Sequence, residues 1–209
     1  MNKRQITAIF SHIPAIDTGR LHLRRIVPDD AEDMYEYSAL SEVTEYLLWS
    51  PHPNSSYTRQ YLNVVQNQYR EGQFYDWGLV WKETGKMIGT CGFTSFDINN
   101  NSGEIGYVLN PAYWGKGVAA EAALAVMEFG FKELKMHRIE AKFILGNDRS
   151  LRVMDKIGMT FEGYQRDSMI IKERYRTIGF CSILADEFSR IREDHGAPFG
   201  KRKSFWGIF

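Results

Sequence analysis

Apolar residues recur along the chain with two periods, and the switches between period two and period 3.6 divide it into elements. Leu21-His22-Leu23-Arg24-Arg25-Ile26 alternates and predicts a first strand. Pro28-Asp29-Asp30 then opens a helix that carries Ala31, Met34 and Tyr35. A short helix is expected around Ser41 to Tyr46, and the prolines of the stretch Trp49 to Ser55 make a loop. Ser55 or Ser56 caps a helix that runs to about Arg70 and stops at Gly72. Asp76 to Trp81 and Met87 to Thr94 read as strands joined by the turn Glu83-Thr84-Gly85-Lys86. Gly103 to Leu109 follows as a fourth strand, with Ile105, Tyr107 and Leu109 on one phase, and Asn110-Pro111 ends it. From Val118 to about Leu134 the period is helical, and Ala119, Ala122, Ala123 and Val126 make a face small enough to approach a sheet closely. Arg138 to Leu145 is a fifth strand, expected to lie parallel to the fourth across that helix. Asn147 or Asp148 caps a helix over Ser150 to Ile157 that Gly158 stops. Phe161 to Ile171 and Tyr175 to Leu184 close the pattern as a hairpin.

This order predicts one α+β domain over residues 1–188, not the βαβαβα alternation of a doubly wound dinucleotide fold. Residues 1–18 read as a weakly patterned lead-in, and 189–209 as a tail rich in charge, glycine and aromatics. The tail's Lys201-Arg202-Lys203 with Phe199, Phe205 and Trp206 is too short a run to argue for nucleic acid. Lys+Arg and Asp+Glu both number 26, so no global charge points to nucleic acid or an anionic membrane. Cys91 and Cys181 sit inside apolar runs without metal spacing and read as buried, reduced thiols. No apolar run approaches 18 residues and the N-terminus lacks a signal-peptide pattern, so a cytoplasmic protein without a membrane partner is expected.

Candidate chemistry concentrates after the fourth strand. Gly115 and Gly117 stand between its end and the helix from Val118. Glycines let a backbone approach a ligand, and a helix N-terminus presents unpaired N–H groups to an anion. A phosphate or pyrophosphate is the ligand this suggests, although the same residues also suit a simple turn.

Four segments, in this order, resemble the GNAT acyltransferase superfamily and its ribosomal-protein N-acetyltransferase branch. They are the stretch Thr18 to Arg24, Met87 to Phe93, Gly106 to Ala122 with Trp114-Gly115-Lys116-Gly117-Val118-Ala119, and Asn147-Asp148-Arg149-Ser150 with Lys156-Ile157-Gly158-Met159. The resemblance covers roughly residues 15–188. It implies a mixed, mostly antiparallel sheet with helices on both faces and splayed fourth and fifth strands, usually parted at a bulge in the fourth. It also implies acetyl-CoA as cofactor. Its amide-containing arm would pair along Tyr107, Val108 and Leu109, and its pyrophosphate would rest on the amides from Trp114 to Ala119. Asn147, Ser150 and Arg152 would line the other wall. Two departures stand out: Trp114 replaces the Gln or Arg that usually opens the loop, and Met154 replaces a Tyr that often protonates the sulfur.

Acetyl transfer to an amine needs a neutral amine, a polarised carbonyl and a thiolate that leaves, with no covalent enzyme intermediate. The resemblance implies Glu104 as the base, acting through water; a salt-bridged strand residue is the other reading. Ser150 is the candidate acid at the sulfur, or else a first-turn serine that satisfies amides. Lys116, Arg149, Arg152 and Lys156 either reach phosphates or face solvent. His52 and His137 read as structural. The expected activity is acetyl transfer to a primary amine, foremost a protein N-terminal α-amine such as a ribosomal protein's. A small amine or antibiotic, or CoA binding without turnover, are the alternatives. The sequence leaves oligomeric state open and is compatible with a homodimer.

Overall fold

A computed structural model describes residues 2–194 of the chain. The expected lead-in is largely a helix, α1 (Lys3–Ser11), whose Asn2 and Gln5 side chains each accept from the other's backbone amide. It is amphipathic, and it buries Ile6 and Phe10. Only one face of so short a helix is apolar, which is why the pattern is faint in the sequence.

Eight strands form one sheet. They are β1 (Ile16–Asp17), β2 (Leu21–Arg24), β3 (Asp76–Trp81), β4 (Met87–Asp97), β5 (Ser102–Leu109), β6 (Arg138–Ile144), β7 (Thr160–Ile171) and β8 (Arg174–Leu184). Their spatial order is β1-β2-β3-β4-β5-β6-β8-β7. Only β5 and β6 are parallel; every other neighbouring pair is antiparallel. The two-residue β1 shifts the count by one, so the splayed pair expected as fourth and fifth is β5 and β6.

The remaining helices are α2 (Ala31–Ser38), α3 (Ser41–Thr44), α4 (Ser55–Arg70), α5 (Val118–Lys132), α6 (Asp148–Lys156) and α7 (Ala185–Asp194). Asn54, not a serine, caps α4 by accepting from the Tyr57 amide. Alternation along β3 distributes the helices. Trp77, fully buried, packs edge-on against Phe10 of α1 and Phe129 of α5. Its neighbour Asp76 points the other way, where α2 and α4 pack together. The boundary expected at residue 188 falls inside α7, because Phe188 is buried beside the Phe131 ring of α5. The basic-aromatic tail motif lies outside the described residues, among which no helix is long and apolar enough to cross a membrane.

Candidate functional site: a cleft between two parted strands

β5 and β6 pair at three positions, Ser102–Arg138, Gly103–Ile139 and Glu104–Glu140, and then diverge. Beyond Glu104, the β6-facing edge of β5 has no strand partner. The irregularity that accompanies the parting is not in β5. Phe93 pairs with Ile105 but Ser95 pairs with Glu104, so the extra residue is Thr94 of β4. The bulge expected in the splayed strand thus belongs to its neighbour.

A cavity of about 470 Å³ fills the wedge. Tyr107, Val108 and Leu109 line it from β5, Trp114, Gly115 and Gly117 to Ala119 from the loop and α5, and Asn147, Ser150 and Arg152 from α6. Tyr46, which the sequence offers as core or cleft wall, closes it from the N-terminal half with Val43 and Leu47, to which the sequence assigned no site role. Of the expected site residues only Glu104 and Lys116 do not line it. Lys116 turns away: its ammonium lies 5.5 Å from the centroid of the Tyr113 ring.

One end of the cavity is built for anions. Gly115 and Gly117 adopt φ of 73° and 74°, a left-handed backbone that brings the chain round into α5. The first-turn amides of α5 lack intrahelical acceptors and carry the positive end of the helix dipole. Arg149, Arg152 and Lys156 of α6 face this end. The spacing of three and four residues that puts them on one helical face was readable in the sequence, but what that face looks onto was not. Trp114 donates its indole N–H to the Leu109 carbonyl at 2.8 Å, and the Arg149 guanidinium stacks 4.2 Å from its ring centroid. The residue that removes one side-chain donor therefore positions another.

The loop is latched from behind. Glu121 accepts from the Thr18 hydroxyl at 2.6 Å, the Arg20 amide at 2.8 Å and the Arg20 guanidinium at 2.7 Å. Arg20 in turn donates to the Lys116 carbonyl at 2.9 Å. Burial alone would raise the Glu121 carboxyl, but these bonds outweigh it and hold it below the usual range.

Ser150 and Tyr107 meet in the same cavity. Their hydroxyls lie 3.0 Å apart, and the Tyr107 hydroxyl also reaches the Ser150 carbonyl at 3.1 Å. Burial pushes the Tyr107 phenol up, opposed by the Ser150 bond, so it keeps its proton at neutral pH. Asn147 caps α6 by accepting from the Ser150 amide, which leaves the serine hydroxyl for other work. Met154 is buried in the core and offers nothing to the cleft. Glu104 sits where the strands part, with its carboxylate 2.6 Å from the Lys142 ammonium.

Parted parallel strands beside a glycine-turned helix end are the frame of one acetyltransferase fold, and the comparisons agree. The profile of the "Acetyltransferase (GNAT) domain" family matches residues 20–160. The chain belongs to the GNAT family of N-acetyltransferases. An uncharacterized N-acetyltransferase of Bacillus licheniformis is 35% identical over 172 residues, covering 82% of this chain and 97% of that protein. The crystal structure of a GNAT-family acetyltransferase from Bacillus anthracis superposes with a TM-score of 0.74 at 31% identity, covering 83% of this chain and 99% of the other. More distantly, the ribosomal protein uS5-alanine N-acetyltransferase of Escherichia coli is 25% identical over 175 residues, covering 79% and 89%. GNAT acetyltransferases generally use acetyl-CoA, and this GNAT cleft suits it. The α5 amides and the three cations of α6 match its phosphates, and the free edge of β5 matches the amides of its arm.

Proposed function

We propose that this N-acetyltransferase takes its acetyl group from acetyl-CoA and transfers it by direct attack to the N-terminal α-amine of a protein, a ribosomal protein being the leading acceptor. The observation that carries the reading is the Tyr107–Ser150 hydroxyl pair in a cavity that the cations of α6 also line. It sets a proton donor in the same cleft as the anion site, as a thioester on a phosphate-bearing arm requires.

The name of the Escherichia coli relative supports the acceptor class, and so does proton chemistry. An α-ammonium has a pKa of about 7.7–8.0 against about 10.4 for lysine, so far more of it is neutral at pH 7. Acetyl-CoA supplies the acyl group already activated as a thioester. Glu104 takes a proton from the acceptor nitrogen through water, for which its pair with Lys142 opens. Ser150, held by Tyr107, donates to the departing sulfur. Arg149, Arg152 and Lys156 hold the phosphates.

Free thiol released from acetyl-CoA, measured against α-amino peptides, lysine peptides, polyamines and aminoglycosides, tests the acceptor class. Release with small amines alone would replace the protein acceptor, and binding without release from any amine would leave a CoA-binding module. With an acceptor in hand, Glu104→Gln should lower kcat at least about tenfold at unchanged acetyl-CoA affinity, with partial recovery at high pH. Ser150→Ala should lose less and show no recovery, since it acts on sulfur. Wild-type kcat for Glu104→Gln from pH 6 to 9.5 would leave solvent as the base.

A further inference from the structure

A second carboxyl on the sheet has no structural employment. Asp76, the first residue of β3, keeps partial solvent access, yet among the described residues no hydrogen bond or ion pair satisfies its carboxylate. Its place in the sheet is specific. Asp76 is in register with Gly92 of β4, and Gly92 with Gly106 of β5. The row that leads from Asp76 to the parted strand therefore carries no side chain on two successive strands. A β-carbon on Gly92 would stand 2.4 Å from Asp76 Oδ1 and 2.2 Å from the Tyr75 carbonyl, so the carboxylate lies over the space that glycine leaves. A β-carbon on Gly106 would meet only the Thr94 methyl, at 2.9 Å. Gly106 is two residues from Glu104, and both side-chain directions fall on the α2 and α4 face with Asp76.

This glycine floor ends where β5 and β6 separate and the sheet opens between its faces. An acetyl-CoA arm that starts with its phosphates at α5 and runs along β5 brings its reactive end toward this gap. The opposite face is then the approach for the acceptor. It carries a second unmet group, since the Tyr37 hydroxyl is buried and has no hydrogen-bond partner among the described residues. Nearby, Tyr61 joins an aromatic set with His52, Tyr57 and Trp49, with ring centroids 5.0–5.9 Å apart. Aromatic faces and an unpaired carboxylate form a surface that suits an ammonium group.

We infer that Asp76 receives the acceptor's primary ammonium over Gly92 and Gly106, and takes its first proton before attack. The assignment rests on the N-acetyltransferase reading and adds the acceptor's place to it. The nitrogen then forms its bond to the acetyl carbon as the carbon–sulfur bond breaks. The second nitrogen proton leaves through water to Glu104, and the sulfur takes one from Ser150. Asp76 and Glu104 then give up their two protons, one of which restores Ser150 through solvent while the other is released.

Burial raises the Asp76 carboxyl to about 7. The titratable groups that face it are Tyr37 of α2, Tyr61 and Tyr69 of α4 and Glu104 of β5, and the same face carries Arg24 of β2 paired with Asp30, and Asp33 of α2. Burial pushes the three tyrosines up as well, Tyr61 to about 12, so they stay neutral while Asp76 titrates. A carboxyl near 7 takes a proton from an α-ammonium against a roughly tenfold disadvantage, and from a lysine ammonium against one of more than about a thousandfold. The site thereby favours α-amines by its chemistry.

The test uses the full chain with each amine that it turns over, and compares kcat/KM from pH 5.5 to 9.5 for the wild type and Asp76→Asn. In the wild type the acid limb should fall near pH 7 whichever amine is used. In Asp76→Asn kcat/KM at pH 7 should drop by about a hundredfold or more, and the limb should move to each amine's own pKa, with acetyl-CoA binding by calorimetry unchanged. A small-amine acceptor would displace the protein-substrate reading and leave this comparison intact. A wild-type limb that already follows the amine, or an Asp76→Asn enzyme of wild-type activity, overturns the assignment. If Asp76→Asn fails to fold, or if no amine is turned over, the Asp76 carboxyl is titrated in the wild type by isotope-edited infrared spectroscopy. With CoA present, a short α-amino peptide should lower its midpoint, an N-terminally blocked lysine-free peptide should not, and equal midpoints overturn the assignment.

Discussion

Gly117 is where one residue decides most about the cofactor. Its φ of 74° is a conformation that side chains rarely adopt, and a β-carbon there would stand 3.0 Å from Lys156 Nζ. Gly117→Val would therefore strain the turn and push the Lys156 ammonium from the anion end of the cleft. Acetyl-CoA affinity should fall at least about tenfold, or about 1.4 kcal/mol, by calorimetry on a folded variant. Unchanged affinity would remove the glycine turn from the binding site. This residue's importance was legible in the sequence from its place between a strand and a helix. The Lys156 contact was not, because 39 residues of chain separate the two and only packing α6 against α5 joins them.

At the scale of elements, the β1–β2 turn and α5 act together through Glu121. The carboxylate gathers Thr18, Arg20 and, through Arg20, the Lys116 carbonyl, so two segments hold the loop in place. Replacing it as Glu121→Gln keeps the shape but removes the charge. At neutral pH the variant should lose about 1 kcal/mol of stability, and acetyl-CoA affinity should weaken modestly with it. The sign with pH follows from the depressed carboxyl. Its contribution is full above the usual value of 4.5 and is lost as pH falls through the lower folded-state value. Thermal midpoints of the two proteins should therefore differ most near pH 7 and converge in strong acid. A gap that persists at low pH would mean that the charge is not what holds the turn. Nothing local in the sequence marks Glu121, since a glutamate in the first turn of a helix is ordinary.

For the whole molecule, Asp76 makes function and stability pull apart. An unfolded chain ionises this residue near 3.8, the folded one near 7. Between those values the folded state holds a proton that the unfolded state has lost, so stability falls as pH rises through the interval and stays low above it. Asp76→Asn carries no such penalty. It should melt higher than the wild type at pH 8, and the gain should vanish toward pH 4, as read by calorimetric melts. A variant that is less stable at pH 8 would show that the carboxylate has a structural partner after all. Sites that favour chemistry over stability show this signature.

Local pattern determined most of the elements. Alternation in β2 and β5, the small-residue face of α5 and the glycine stops of α4 and α6 each follow from residues a few positions apart, and the order of the elements already excludes a doubly wound fold. The pieces of the cofactor loop were equally contiguous, so the family could be read from them. Only the tertiary structure decided what depends on register between distant strands. It placed the extra residue at Thr94 in β4, set Glu104 against Lys142, brought Tyr107 to Ser150, and aligned Asp76, Gly92 and Gly106 in one row. The physical reason is that these contacts join residues far apart in the chain, 38 positions for Glu104 and Lys142 and 43 for Tyr107 and Ser150, and that in the paired strands a shift of one residue would turn each side chain to the other face.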